Sequence, residues 1–289
     1  MQLGFIGLGR MGLNMVELLL EKGHAVMAYD INQEAVEAAK VSGAKGASSI
    51  AEVVSQLEAP RIVFVMVQRK HVQGVIDELQ PLLSEGDTIV DSGNTFYQET
   101  LARVEKAEAL GLNFVDVGVS GGTERARTGA TLMVGGPEAV VKKYEQIFID
   151  LAQPDGYGYM GKSGAGHYVK MVHNGIEYGM MQAIGEGMQV IADAREQFGT
   201  DIDEVLKVYN HGSIIESSLV AWTHSGWQKD PELASIEGSV PPGDTEAEMQ
   251  ELTKLGRMPA LETALSEREK SRNDPSLAAK FVAVMRQEF

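Results

Sequence analysis

The segment Gly7-Leu8-Gly9-Arg10-Met11-Gly12 limits the fold of this chain more than any other feature. It is G-x-G-x-x-G in a telling context. An apolar strand pattern, Gln2–Gly7, precedes it, a helical pattern, Gly12–Glu21, follows, and a second strand pattern, Ala25–Asp30, ends in an acid 18 residues after Gly12. The first glycine makes a tight strand-to-helix turn, the second lets the backbone approach a pyrophosphate, and the third lets helix and strand pack closely. The helix N-terminus adds free N–H groups and positive dipole for phosphates. Asp30, at the end of the second strand, accepts hydrogen bonds from ribose hydroxyls and repels a 2′-phosphate. Ile31-Asn32-Gln33 supplies no cation, and Arg10 is the nearest one able to offset that repulsion. The turn therefore predicts NAD rather than NADP, held by Gly7, Leu8, Gly9, Arg10, Met11, Gly12 and Asp30, with Met66, Val67 and Asn94 at the ends of later strands completing the site.

Strand and helix patterns continue to alternate. Ile62–Val67, Thr88–Asp91, Asn113–Val117 and Thr131–Val134 read as strands. Gln33–Val41, Gln73–Leu82, Thr100–Ala109 and Glu138–Phe148 read as helices. Such alternation predicts an α/β fold: an N-terminal Rossmann-type, doubly wound parallel sheet, residues 1–161. The glycine-rich stretch Asp155–Gly166 reads as the boundary, and residues 162–289 as an all-α domain that begins with one long helix, Ala165–Ala194. Gly175, Gly179, Gly185 and Gly187 are unusual inside a helix and allow close contact with another helix or a ligand. Further on, Lys229–Glu246 reads as a loop, and Asp274 and Pro275 as the N-cap and first residue of the last helix.

The absence of cysteine excludes disulfides, thiolate nucleophiles and thiolate metal sites, and no metal is expected. The longest apolar run, Ile62–Val67, is far shorter than the roughly 20 residues of a membrane span. A formal charge of −16 repels nucleic acid and anionic membranes, so the expected partner is a small molecule; the lack of cysteine permits a cytoplasmic setting, which is the expected one. An anionic substrate needs local cations or helix N-termini to overcome that field.

The stretch Gly164-Ala-Gly-His-Tyr-Val-Lys-Met-Val-His-Asn-Gly-Ile-Glu-Tyr is the next most informative. On a helix Lys170, Asn174, Glu177 and Tyr178 fall at i, i+4, i+7 and i+8 and share one face, with His173 to one side. A base, an amide, an acid and a phenol on one face suit a reactive cleft. By spacing alone they equally suit a solvated face with a Lys–Glu contact.

That stretch, continuing Gly-Met-Met-Gln, resembles the catalytic helix of 6-phosphogluconate dehydrogenases, within the 3-hydroxyacid dehydrogenase superfamily. Asp91-Ser-Gly-Asn94, Val119-Ser-Gly-Gly122 and Leu132-Met-Val-Gly-Gly136 resemble further motifs of the family, and the length is similar to its short, NAD-preferring bacterial branch. The resemblance implies NAD-dependent oxidative decarboxylation of a sugar acid, as in the pentose phosphate pathway. Lys170 would take the proton of the substrate's 3-hydroxyl, which only a neutral lysine can do, and a neutral lysine is favoured by burial or by nearby positive charge. Glu177 would protonate the enediol carbon after carbon dioxide leaves. Asn174 and Asn94 would orient hydroxyls, the N–H groups of Ser120, Gly121 and Gly122 would bind the carboxylate, Tyr178 would contact substrate, and His173 would either contact substrate or support a residue that does. A homodimer is expected on the same ground.

The chain also departs from the family pattern. Glu216 follows His211-Gly-Ser-Ile-Ile, where the family pattern is read as carrying an arginine for the sugar phosphate; glutamate reverses that charge. Gly243-Asp-Thr-Glu-Ala-Glu-Met lacks the arginine and tryptophan of G-E-G-R-W-T, and Gln68-Arg69-Lys70 replaces P-A-G. Either the substrate is a sugar acid with a different distal group, or its anionic end is bound elsewhere, with Arg69, Lys70 and Arg257 as spare cations. Met285-Arg-Gln-Glu-Phe289 resembles the family's R-D-Y-F, with Arg286 in the place of its arginine. A non-decarboxylating 3-hydroxyacid dehydrogenase and a dinucleotide sensor without turnover are the rival readings. Glu177-Tyr178 argues against the first, and the intact Lys170, Asn174 and Glu177 against the second.

Overall fold

The computed structural model describes residues 1–288, apart from the side chains of Asp244 and Glu288. It divides into two compact units, Met1–Lys170 and Met171–Phe289. In the first, β1 (Gln2–Ile6), α1 (Arg10–Glu21), β2 (Ala25–Tyr29), α2 (Gln33–Val41), β3 (Lys45–Gly46) and α3 (Ile50–Ser55) form the opening half. There follow β4 (Ile62–Val65), α4 (Arg69–Leu79), β5 (Thr88–Asp91), α5 (Tyr97–Ala109), β6 (Asn113–Ser120), α6 (Gly122–Thr128), β7 (Ala130–Gly135), α7 (Glu138–Lys143), α8 (Glu145–Leu151) and β8 (Ala152–Gly161). The eight strands form one sheet in the order β3-β2-β1-β4-β5-β6-β7-β8. All neighbours are parallel except β6 and β7.

Side chains alternate across this sheet because the strand period is two. Phe5 and Phe64 point to one face, stack with centroids 5.7 Å apart and pack with Phe148, Val16 and Leu19. Ile6, Val63 and Val65 point to the other face and meet Val53, Ile76 and Phe114. The chain runs from β1 outward through β2 and β3, then returns to place β4 on the other side of β1. That reversal is the point where ligands bind outside the strands' C-terminal ends. Gly7–Gly12 follows β1 there, and Met66 and Val67 follow β4.

Several boundaries differ from the sequence expectation. The glycine-rich stretch Asp155–Gly166, read as the boundary, overlaps a strand not expected from the sequence: Ala152–Gly161 is β8, an edge strand with shifts in its register against β7. Glu138–Phe148 is two helices that meet at Tyr144. β6 runs on to Ser120, so the carboxylate-binding candidate sits directly on a strand end.

The second unit is helical: most of α9 (Ala165–Asp193), then α10 (Arg195–Phe198), α11 (Ile202–Tyr209), α12 (Ser218–Lys229), α13 (Asp244–Leu255), α14 (Pro259–Ser271) and α15 (Leu277–Glu288). Met181, Met188, Leu206, Trp227, Phe281 and Met285 belong to its core, with Trp227 stacked on Phe281 at 5.8 Å. Three of the α9 glycines make close helix contacts. A Cβ on Gly175 would lie 2.7 Å from Leu252, one on Gly179 3.4 Å from Ala260, and one on Gly185 2.7 Å from the Ala278 carbonyl. The last helix is capped by Ser276, whose hydroxyl accepts from the Ala279 amide at 3.1 Å, rather than by Asp274. Phe289, the end of the tail motif, lies outside the described residues.

Candidate active site

The nucleotide turn is built as its spacing requires. Gly7 has φ +101°, and a Cβ there would fall 2.3 Å from the Met66 carbonyl oxygen and 2.7 Å from Val67, so the segment after β4 leaves no room for any other residue. A Cβ on Gly12 would lie 2.0 Å from the Gly7 carbonyl, whereas Gly9 faces open space. No side chain caps the start of α1, which leaves its first-turn amides for a ligand. Asp30 is braced from both sides: Leu8 N–H donates to Oδ2 at 2.6 Å and Asn32 N–H to Oδ1 at 2.7 Å. A fixed, half-exposed carboxylate beside the glycine turn fits the ribose of a dinucleotide.

The loop after β5 is held from beneath. Asp91, fully buried, accepts from Gly93 N–H at 3.2 Å and from the Thr95 hydroxyl at 3.4 Å, and pairs with Arg103 at 3.5 Å. Ser92 donates to the Val65 carbonyl through both its amide and its hydroxyl. With Asp91 and Ser92 turned inward, Asn94 is left exposed at the strand ends. Burial pushes the Asp91 carboxyl above its usual range, against the pull of His167 and Arg103. Arg69 is not a spare cation: it pairs with Glu99 at 2.6 Å and lies 5.6 Å over the Phe96 ring. Burial of Glu99 works against its charge, but Arg69 and Arg103 outweigh that and hold its carboxyl below the ordinary value. Lys70 and Arg257 are exposed.

Ser120, Gly121 and Gly122 form the junction of β6 and α6, with φ +122° at Gly121 and +67° at Gly122. Two residues earlier, Gly118 lets Lys170 pack against the strand: a Cβ there would lie 2.4 Å from that of Lys170. Lys170 is 8% exposed.

Along α9, Asn174 is 7% exposed, and Glu177 and Tyr178 are partly buried. His173 sits 3.2 Å from the Asn174 side-chain oxygen and 3.8 Å from Glu177. The Tyr178 ring carries the Arg268 guanidinium 3.5 Å from its centroid. Arg268, on α14, is 3% exposed; its Nη2 reaches Met181 Sδ at 3.4 Å, and its Nε has no partner among the described residues. Burial raises the Tyr178 phenol, while Arg268 and Arg286 act in the opposite sense. Burial lowers Arg268, and Arg286 adds to that. Glu216 is exposed, and its carboxylate accepts from the Gly212 amide at 2.7 Å within its own loop. Arg286 lies exposed on α15.

Sequence reasoning missed Arg268, because Glu-Arg-Glu-Lys in a charged helix reads as a solvated face. It also missed Asp116, treated below. A dinucleotide turn at the switch point, together with a helix bearing a buried lysine and a buried asparagine one turn apart, defines a nicotinamide-dependent oxidoreductase.

Comparison with known proteins carries this to a family. Residues 2–175 match the NAD-binding domain of 6-phosphogluconate dehydrogenase, and residues 166–232 match its C-terminal domain. The Bacillus subtilis protein YqeC is 40% identical over 296 residues, covering 100% of this chain and 97% of its own. The NAD(+)-dependent, decarboxylating 6-phosphogluconate dehydrogenase of Haloferax volcanii is 39% identical over 298 residues, with the same coverage. Among solved structures, the Plasmodium falciparum 6-phosphogluconate dehydrogenase, studied apo, with NADP+ and with 6-phosphogluconate, superposes with TM-score 0.82 at 28% identity, over 94% of this chain and 62% of that longer one. The chain belongs to the 6-phosphogluconate dehydrogenase family and is an oxidoreductase of that type.

Proposed function

We propose that the enzyme oxidises and decarboxylates 6-phosphogluconate, or a sugar acid modified at the same end, with NAD as electron acceptor. The observation that carries this reading is α9, where Lys170 and Asn174 are both nearly buried one turn apart and Glu177 follows one turn later. NAD, held by the Gly7–Gly12 turn and Asp30, would supply the hydride acceptor for the carbon bearing the 3-hydroxyl. Lys170, in its neutral form, takes the hydroxyl proton. The 3-keto acid so formed loses its carboxylate as carbon dioxide, and its carbonyl receives the electron pair as an enediol. Glu177 returns a proton to the carbon that lost carbon dioxide. Asn94 and Asn174 orient hydroxyls, His173 steadies the amide of Asn174, and the amides of Ser120, Gly121 and Gly122 hold the carboxylate.

Two features support finer choices. Asp30 is clamped by two amides and does not swing away from a 2′-phosphate, which favours NAD over NADP. Arg268 supports a phosphorylated substrate despite Glu216: it is a buried guanidinium with an unused donor, laid on Tyr178, with Arg286 adding charge nearby. The reading further takes residues 1–161 and 162–289 as nucleotide-binding and helical domains, the setting as cytoplasmic, and the active form as a homodimer. For the dimer, Ile176, Met180, Ala183, Gly187 and Val190 form one exposed apolar stripe along α9 at spacings of three and four, and a second copy would cover it.

The test is NADH formation by purified protein with 6-phosphogluconate and, separately, gluconate, each with NAD and with NADP. Turnover of 6-phosphogluconate with NAD that vanishes in Lys170→Met, while NADH still binds, is the expected result. Full turnover in Lys170→Met refutes the assignment of the base.

A further inference from the structure

We infer that Asp116 is a positioning residue: it locks the first turn of α9 onto β6 and thereby fixes Lys170 relative to the Ser120–Gly122 loop. The inference rests on the reading of Lys170 as the base.

Asp116 lies inside β6 and is fully buried. A carboxylate in such a place is costly unless its oxygens are satisfied. Here Oδ1 accepts from Gly164 N–H at 2.6 Å and Oδ2 from His167 N–H at 2.8 Å. Both donors belong to the start of α9, where backbone N–H groups lack partners within the helix. The carboxylate therefore does from a neighbouring strand what an N-cap side chain does from within the chain, and its negative charge faces the positive end of the helix dipole. Two oxygens on two amides fix both the distance and the rotation of the helix, which a single bond would not do.

The surroundings leave no slack. Gly166 packs its backbone onto the sheet, where a Cβ would lie 2.4 Å from the Met133 carbonyl oxygen and 2.6 Å from that of Asp116. At Gly135, a Cβ would lie 2.6 Å from Asp116 Oδ1. A second tie comes from α5: the Thr100 hydroxyl is 2.7 Å from Nδ1 of the buried His167. Lys170 follows His167 by one helical turn, and Gly118 follows Asp116 by one strand repeat on the same face. The pair that sets the helix, Asp116 with the amide of His167, and the pair that seats the base, Gly118 with Lys170, are thus successive rungs of one ladder. The next residue on that face of β6 is Ser120, where the carboxylate-binding loop begins. One strand therefore carries both the substrate anchor and the reference point for the base.

Asp116→Ala removes both bonds, and Asp116→Asn keeps an oxygen for one amide while turning an NH2 group toward the other. With the base released from its reference, kcat is expected to fall about 100-fold in Asp116→Ala, the scale of a displacement of about 1 Å. Asp116→Asn should recover part of that loss. NADH affinity, read by fluorescence titration, should not change, because the nucleotide turn lies on other strands. A second readout needs no turnover: lysines are reductively methylated with 13C-formaldehyde and the Lys170 resonance is assigned by its loss in Lys170→Met. That resonance should move in Asp116→Ala and lie closer to wild type in Asp116→Asn. A folded Asp116→Ala protein that has a lowered melting temperature but unchanged kcat and an unmoved Lys170 resonance overturns the inference. If the wild type turns over no sugar acid, the proposed reaction fails on its own, and the Lys170 resonance still decides the role of Asp116.

Discussion

Replacing Arg268 by methionine tests whether the distal end of the substrate is anionic. The substitution keeps an unbranched side chain of similar reach over Tyr178 and removes the charge. The guanidinium is 3% exposed and stacks 3.5 Å from the Tyr178 ring centroid, with its Nε unpartnered among the described residues. A charge-assisted hydrogen bond from such a group to a phosphate contributes about 1.5–3 kcal/mol. Its loss should lower kcat/KM for 6-phosphogluconate about 10- to 150-fold. Gluconate, which carries no phosphate, should be turned over as before. Folding should not suffer: burial already disfavours the charged form of Arg268, so an apolar replacement should leave the melting temperature unchanged or raised. Arg268→Lys should not restore activity, since a point charge lacks both the planar stacking on Tyr178 and the forked donors. Steady-state NADH absorbance with the two substrates, alongside a melting curve, reads every arm. Equal losses with both substrates, or no loss with the phosphorylated one, would refute the reasoning and leave Glu216 as evidence for a different distal group.

Three further outcomes are expected. Asp30→Ala should lower kcat/KM for NAD about 10- to 150-fold by removing charge-assisted bonds to ribose hydroxyls, and should improve use of NADP; unchanged cofactor preference in steady-state kinetics would count against the assigned role. Glu99, whose folded pKa is depressed by Arg69 and Arg103 against its burial, contributes stability that is present above the ordinary carboxylate value and lost as pH falls through the folded one. The melting temperature of Glu99→Gln should therefore lie below wild type at neutral pH and converge with it as pH falls through the depressed folded value, and parallel curves would exclude that linkage. Met180→Glu, in the exposed stripe of α9, should shift the sedimenting species from dimer to monomer, and a species unaltered in mass would remove the stripe from the interface.

What could be read from the sequence was whatever depended on neighbours in the chain. Gly7, Gly9 and Gly12 announce a turn because each glycine answers a local demand, and the long helix was placed to within one residue of its end because no proline or turn cluster interrupts Ala165 to Asp193 despite its glycines. β8 was missed although Gly156-Tyr-Gly-Tyr159 alternates with the period of a strand. Glycine-rich composition outweighed that signal, and the strand exists because β7 offers it an edge. Ser276 rather than Asp274 caps α15 because the helix begins two residues later than proline alone suggests.

The candidate site divides along the same line. Lys170, Asn174 and Glu177 are visible as one face because helical spacing is a property of the sequence. Asp116 reads as an ordinary acid in an apolar strand, with nothing in its neighbours to single it out. Only once β6 lies beside the start of α9 do its two oxygens meet the two amides that need them. Arg268 is hidden in a similar way: alternating charge around it suggests solvent, and burial against Tyr178 reverses that meaning. Glu216, the departure visible in the sequence, has its carboxylate engaged by the amide of Gly212 in an exposed loop, while the buried cation sits on a different helix. The Arg268 variants therefore weigh two signals against each other: the charge pattern along the chain, and the location of a buried guanidinium whose Nε has no partner among the described residues.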